Sequence, residues 1–473
     1  MTATTSRLAS PAAPSNFRLR MLGLAAVFMF GCCYSLLDHG ISGLPESATN
    51  SYLWAILAVM ALIASNAMTA NQFLFSCSFW VTVEFLFYIV LKALAVSGDL
   101  DAASFHKALL ASLLFLAGYL LGQMVWPMQS LLRPQPYARL AASPRLYRWL
   151  VFTFISFKLL NLFLLVALGG GETALEVSQE TQNQGASYLF KLPTLALASY
   201  FLLLLFAYKH GHFRRTAFAM TAWILFEGVL GAARYSMVTT VLINLLLYHL
   251  YVRPLRITYL LIVSPFLVFV ITFFGFVRNI ELANAAVYAS ALSTFLEERE
   301  LMFKLFMSRL DMLPQMTEAF RLDALHLLKN EGGLSYIYSF VHAVPRNFWP
   351  NKPPLTAAYV TEQVNPGAFA DGVNIFPSIM LEAYINLLWI GPILIGIFIA
   401  KLSSLYDRAL FTGSLRTQAM ALIAFTFPMG LINEGIHSNI FATLLYLGGI
   451  YIAWLSLTRF IVGKTGAKRL AMP

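Results

Sequence analysis

Twelve runs of apolar residues follow one another along the chain, at 21–37, 51–68, 73–96, 105–126, 149–168, 191–208, 216–233, 235–252, 257–277, 378–400, 418–432 and 438–458. Their lengths suit helices crossing about 30 Å of hydrocarbon. Such a chain has little choice of architecture, because in lipid each backbone N–H and C=O must be satisfied within the structure, and a helix does this alone. Composition agrees, with 59% hydrophobic and 11% charged residues and a mean hydropathy of +0.70. Ordinary soluble domains carry about a quarter charged residues. The expectation is an all-α polytopic membrane protein of about 12 transmembrane helices. The first run is expected to be a span and not a cleaved leader, since no small-x-small site follows it.

The net charge of +10 is distributed, not pooled. Alternate loops hold Arg7, Arg18 and Arg20, then Arg133 to Arg148, Lys209 to Arg215, Arg253 and Arg256, Lys401 to Arg416, and Arg459 to Arg469. These 19 basic residues share their side with one acid, Asp407. That asymmetry is the positive-inside signal, so these loops and both termini are expected in the cytoplasm. Nucleic acid is not expected as a partner. Cys32, Cys33 and Cys77 lie in or beside apolar runs, so neither a disulfide framework nor a cysteine metal site is expected.

The chain divides into residues 1–277 with spans one to nine, a long outer loop at 278–377, and residues 378–473 with the last three spans and a cytoplasmic tail. The loop is far longer than the usual link between packed helices. Within it, Thr294-Phe-Leu-Glu297 reads as a capping box opening a helix to about Leu313, and a second helix is expected over Met316 to Asn330. The stretch FVHAVPRNFWPNKPP, Phe340 to Pro354, then sets His342, Arg346 and Lys352 among four prolines, which stiffen the segment that presents them. No phosphate-binding G-x-x-x-x-G-K-[ST] occurs, so a nucleotide is not expected as a cofactor, and Asp99-Leu-Asp101, though of the metal-binding D-x-D form, lies in a short acidic hairpin where no metal is expected.

Arg234, in Gly231-Ala-Ala-Arg-Tyr-Ser236, and Arg278 are expected at the outer ends of spans, at the depth of lipid phosphates. Guanidinium forks match phosphate oxygens bidentately, and the two suit a pyrophosphate; the alternative is snorkelling to head groups. Glu227 lies seven residues before Arg234 on the same helix face and is expected to orient it. Glu382, Glu434 and His342 are candidate general bases, with Tyr384 and His437 in support. Glu84, Lys92 and Lys158 also fall within spans, where ionisable groups are paired or functional.

Three blocks resemble the O-antigen polymerase family, the Wzy-type polymerases of oligosaccharide repeat units. They are Gly231-Ala-Ala-Arg234, Val344-Pro-Arg-Asn-Phe-Trp-Pro-Asn-Lys-Pro353, and Phe376-Pro-Ser-Ile-Met-Leu-Glu-Ala-Tyr-Ile-Asn-Leu-Leu-Trp-Ile-Gly391. The chain departs from the family pattern at Tyr235, where glycine is common, and at Leu387-Leu388, where Phe-Gly is common. The resemblance implies a glycosyltransferase of the bacterial inner membrane. Its substrates would be undecaprenyl-pyrophosphate-linked oligosaccharides, joined at the outer face, with Arg234, Arg278, Arg346 and Lys352 on the pyrophosphate. A chain-length regulator and a flippase are the expected protein partners. The alternatives are an O-antigen ligase and a lipid-linked oligosaccharide flippase or other transporter.

Overall fold

A computed structural model describes residues 47–68, 74–96, 100–126, 144–169, 194–211, 213–230, 234–255, 257–277, most of 292–308, 310–322, 333–341, 349, 356–370, 377–413, 415–425, 429–430, 432 and 448. The described chain is all helical, with no strand among the described residues.

The helices follow the apolar runs: α1 (Ser47–Met68), α2 (Cys77–Glu84) continued by a π-helical segment (Phe85–Leu91) and α3 (Lys92–Val96), α4 (Ala102–Val125), α5 (Pro144–Gly169), α6 (Thr194–His210), α7 (Arg214–Leu230), α8 (Arg234–Tyr251) and α9 (Ile257–Val277). In the long loop come α10 (Arg299–Ser308), α11 (Met312–Arg321), α12 (Leu334–Val341), α13 (Thr356–Val364) and α14 (Pro366–Ala370). The chain then enters α15 (Ile379–Leu387), α16 (Ile390–Thr412) and α17 (Leu415–Ile423). Among the described residues, three stretches are long and apolar enough to cross a membrane: Cys77–Ala95, Ala102–Val125 and Ile390–Thr412. The first apolar run lies outside the described residues, and of the last only residue 448 is described.

The core is built around α4. This helix is apolar on every side and buried over almost its whole length, as a helix without a polar face must be. It starts where Asp101 accepts a hydrogen bond from the Ser104 N–H at 2.9 Å. Those bonds hold the exposed Asp101 carboxyl below the usual carboxylate range, with Arg321 nearby adding to the effect. α16 lies along α4 with the same polarity, Gly118 facing Ile393, Gly396 facing Phe115 and Tyr119, and Gly122 facing Ile397 and Ala400. A Cβ at Gly118 or Gly396 would run into the partner helix's backbone. Gly118-x-x-x-Gly122 is thus a contact face between helices, where small residues let backbones approach and dispersion replaces the missing hydrophobic drive.

The ends of the bundle differ in chemistry. At one, the Cys77 N–H donates to Asp407 Oδ1 at 3.0 Å, Gln123 Nε2 donates to Ser78 Oγ, and Ser78 Oγ lies 3.3 Å from the Tyr119 hydroxyl. Asp407 is therefore not a residue of an exposed cytoplasmic loop. It sits buried on α16 and caps the N-terminus of α2, where the helix dipole favours an anion. At the other end, Lys92 Nζ donates to the Met307 carbonyl at 2.9 Å and to Asp311 Oδ1 at 2.6 Å. Between these ends the π-helical segment separates Glu84 from Lys92. Such segments cluster at functional sites. Glu84 Oε2 accepts the Ile432 N–H at 2.8 Å, and the Ile432 carbonyl accepts the Ile379 N–H at 3.0 Å.

Two expectations are corrected here. The first loop helix does not run on to Leu313: α10 stops at Ser308, the chain turns at Leu310 and Asp311, and α11 begins with Pro314 in its first turn and ends at Arg321. The apolar run 378–400 is not one helix either. It breaks at Leu388, whose φ of 54° is costly for a residue with a side chain, and the helix that follows runs on through Lys401 and Arg408 to Thr412. Gly391 then passes the Ala383 carbonyl so closely that a Cβ would collide with it. α15 therefore starts at mid-height against Ile432, rises to the Lys92 end, and hands over to α16, which descends beside α4.

Candidate functional site

The long loop and α15 meet at the Lys92 end of the bundle. Ser378 caps α15, its Oγ accepting the Leu381 N–H at 3.1 Å, and this sets Glu382 in the helix's first turn. Glu382 is 0% exposed. One turn on, Asn386 Nδ2 donates to the Glu382 carbonyl at 2.8 Å, and its Oδ1 accepts from the Ser335 hydroxyl on α12 at 2.7 Å. The Tyr336 side chain lies next to both Asn386 and Glu382. Burial pushes its phenol well up, and the carboxylate of Glu382 adds to this, so Tyr336 remains a protonated donor through the neutral range. A carboxylate, a phenol, a hydroxyl and an amide are thus gathered in one desolvated place.

Aromatic rings wall this place. Tyr384 and Trp389 meet edge to face at 4.7 Å, and Phe320 of α11 lies 5.0 Å from Tyr384 and parallel to Trp389 at 6.0 Å. The turn at Leu388 brings Trp389 back onto Tyr384, five residues before it. Through these ring contacts Tyr384 joins α15 to the long loop. On α11, Arg321 forms a two-pronged pair with Glu318 at 2.7 and 2.6 Å, which holds the Glu318 carboxyl below its usual range.

Glu227 and Arg234 do not lie on one helix as expected: Glu227 is on α7, and Arg234 on the separate helix α8. Among the described residues, the two oxygens of Glu227 meet Lys158 on α5, in an ion pair, and the Trp223 indole N–H at 2.7 Å. The side chain binds α7 to α5, because a carboxylate at this depth is costly unless a cation and a donor compensate it. Arg234 opens α8. Arg278, His342, Arg346, Lys352, Glu434 and His437 lie outside the described residues. Among the described residues there is no group of three His, Cys, Asp or Glu side chains placed to hold a metal ion.

Sequence reasoning passed over Ser335 and Tyr336. The only signal was the amphipathic pattern of Leu-Ser-Tyr-Ile-Tyr-Ser-Phe-Val after Gly332-Gly333, which marks a short helix with one polar face. Comparison of the chain with family models, with curated proteins and with solved structures finds no match.

Proposed function

We propose that the protein is a polymerase that joins undecaprenyl-pyrophosphate-linked oligosaccharide repeat units at the outer face of a bacterial inner membrane. The reading adopts twelve spans, cytoplasmic termini and an outer 278–377 segment, from the apolar runs and the basic loops. Its main support is the Val344–Pro353 block, the most specific of the three that resemble the Wzy-type family. A second support is the bond between Ser335 on α12, the helix before the block in sequence, and Asn386, one turn after the buried Glu382 on α15.

The acceptor sugar hydroxyl attacks the anomeric carbon of the growing chain. The new C–O bond forms as the bond to the lipid pyrophosphate breaks, the pyrophosphate leaves with the electron pair, and the anomeric centre inverts. Glu382 takes the hydroxyl proton, with Glu434 and His342 as the other candidates for that role. Arg234, Arg278, Arg346 and Lys352 stabilise charge building on the pyrophosphate. The leaving group is already activated, so the chain needs no nucleotide to drive the step.

Deletion separates this reading from its rivals in a cell that decorates lipid A core with the polysaccharide. Loss of a polymerase leaves export and ligation intact, so gels should show core bearing one repeat unit and no ladder. Bare core with lipid-linked polymer accumulating would make the protein a ligase. Single units trapped on the cytoplasmic face would make it a flippase.

Orientation is tested separately with single cysteines at Ala370 and Thr412, both exposed, in a chain lacking Cys32, Cys33 and Cys77. Ser403 would be a poor reporter, being buried between helices. An impermeant thiol reagent on intact cells should reach position 370 and leave position 412 untouched until the membrane is opened. Equal labelling of the two would reverse or abolish the topology.

A further inference from the structure

A base acting on a substrate hydroxyl has to come within about 3 Å of it. Glu382 has no exposed surface from which to do so. Its neighbours on α12 are Ser335, 3% exposed and bonded to Asn386, and Tyr336, whose hydroxyl is buried beside Asn386 and Glu382. Among the described residues, the α12 backbone packs closely along no other helix, and Leu334 and Ile337 are 42% and 59% exposed. Gly333, immediately before it, has φ of 90°, and no atom of the described residues lies within 4 Å of where its Cβ would be. Glycine is there required by backbone conformation and not by crowding, which suits a pivot.

We propose that α12 is a hinged cover over Glu382, turning at Gly333 and latched through Ser335 and Tyr336, so that the carboxylate meets an acceptor hydroxyl only when the cover is open. The purpose of the cover rests on Glu382 being the base; its existence does not. A closed cover keeps water from the carboxylate between turnovers, as lids over active sites do. Opening also releases the Tyr336 phenol, a donor placed to meet a sugar oxygen beside the base.

The test uses the full chain in its membrane, with Cys32, Cys33 and Cys77 replaced by alanine and with Ser335→Cys and Asn386→Cys introduced together. Oxidation should join the two, since their polar atoms are 2.7 Å apart in the native chain. A water-soluble carbodiimide with an amine tag is then applied, and tagging at residue 382 is read by mass spectrometry. Exposed Glu362 serves as internal control, and Glu382→Gln verifies the assignment. The reduced protein should be tagged at Glu382, and the oxidised protein at least tenfold less, with reductant restoring the rate. In the native chain, Tyr336→Ala should raise tagging severalfold.

Equal tagging of the oxidised and reduced forms would overturn the proposal. So would absence of tagging in both while Glu362 reacts, or failure of the disulfide to form. None of these readouts depends on polymer. If the cover opens as described but Glu382→Gln polymerises normally, the assignment of the base fails while the hinged cover stands.

Discussion

Gly396→Leu should separate α16 from α4 and leave little or no folded protein in the membrane. The glycine faces the Phe115 carbonyl, the Tyr119 nitrogen and the Gly118 carbonyl carbon, all backbone atoms that cannot swing aside as a flexible side chain would. Overpacking a well-packed core typically costs about 1–3 kcal/mol, and contact with backbone belongs at or beyond the top of that range. Total stability is only about 5–15 kcal/mol, so one such clash at the central crossing consumes much of it. Gly118→Leu should behave alike, because its Cβ would meet Ile393 backbone across the same crossing. Ile390→Leu, on an exposed position of the same helix, should be without effect. Membrane abundance and thermal unfolding in detergent measure the difference. Normal abundance of both glycine variants would mean that α4 and α16 do not pack as described.

Arg234→Ala and Glu382→Gln should each abolish visible polymer while leaving the protein in the membrane at normal level. For the arginine, the loss is one charge-assisted interaction with an oxygen gaining negative charge, worth about 3 kcal/mol or roughly a hundredfold in rate. Arg234→Lys should recover part of this, since charge survives and the two-pronged geometry does not. For the glutamate, glutamine keeps the volume and polarity that its fully buried site demands, but cannot take the proton. Loss of a general base costs roughly a hundredfold to ten-thousandfold. Single-turnover assays with lipid-linked repeat units separate the two, because Glu382→Gln should bind substrate normally. Normal polymer from Arg234→Ala would make that side chain a snorkelling residue, and normal turnover by Glu382→Gln would move the base to Glu434 or His342.

The helices of this bundle were legible where a signal lies within one segment. The run at 257–277 reappears with the same ends as α9, and α4, α7 and α8 match their runs to within a few residues. The break at Leu388 was harder, because the residues around it are apolar on both sides. A local signal existed in Gly391-Pro392, since proline is tolerated in the first turn of a helix and hence marks a start. Pro314 marks the start of α11 in the same way. Both prolines could have been read as helix openings.

Hydropathy and charge asymmetry act on each segment alone, and so the sequence by itself determined that the chain forms apolar helices and where most of them begin and end. Partnership between segments is a property of pairs. Glu227 lies seven positions before Arg234 in the sequence, yet it ends up on a separate helix and bonded to Lys158, 69 positions away in the chain, and Lys92 is bonded to Asp311 across 219. Asp407 sits among basic residues in the sequence, yet it is buried against the Cys77 N–H. Only the tertiary structure decided these matters, together with the burial of Glu382 beneath α12. A charged group in a low-dielectric interior is held by whichever donor or counter-charge the packing of helices brings within about 3 Å, and no single segment encodes that distance.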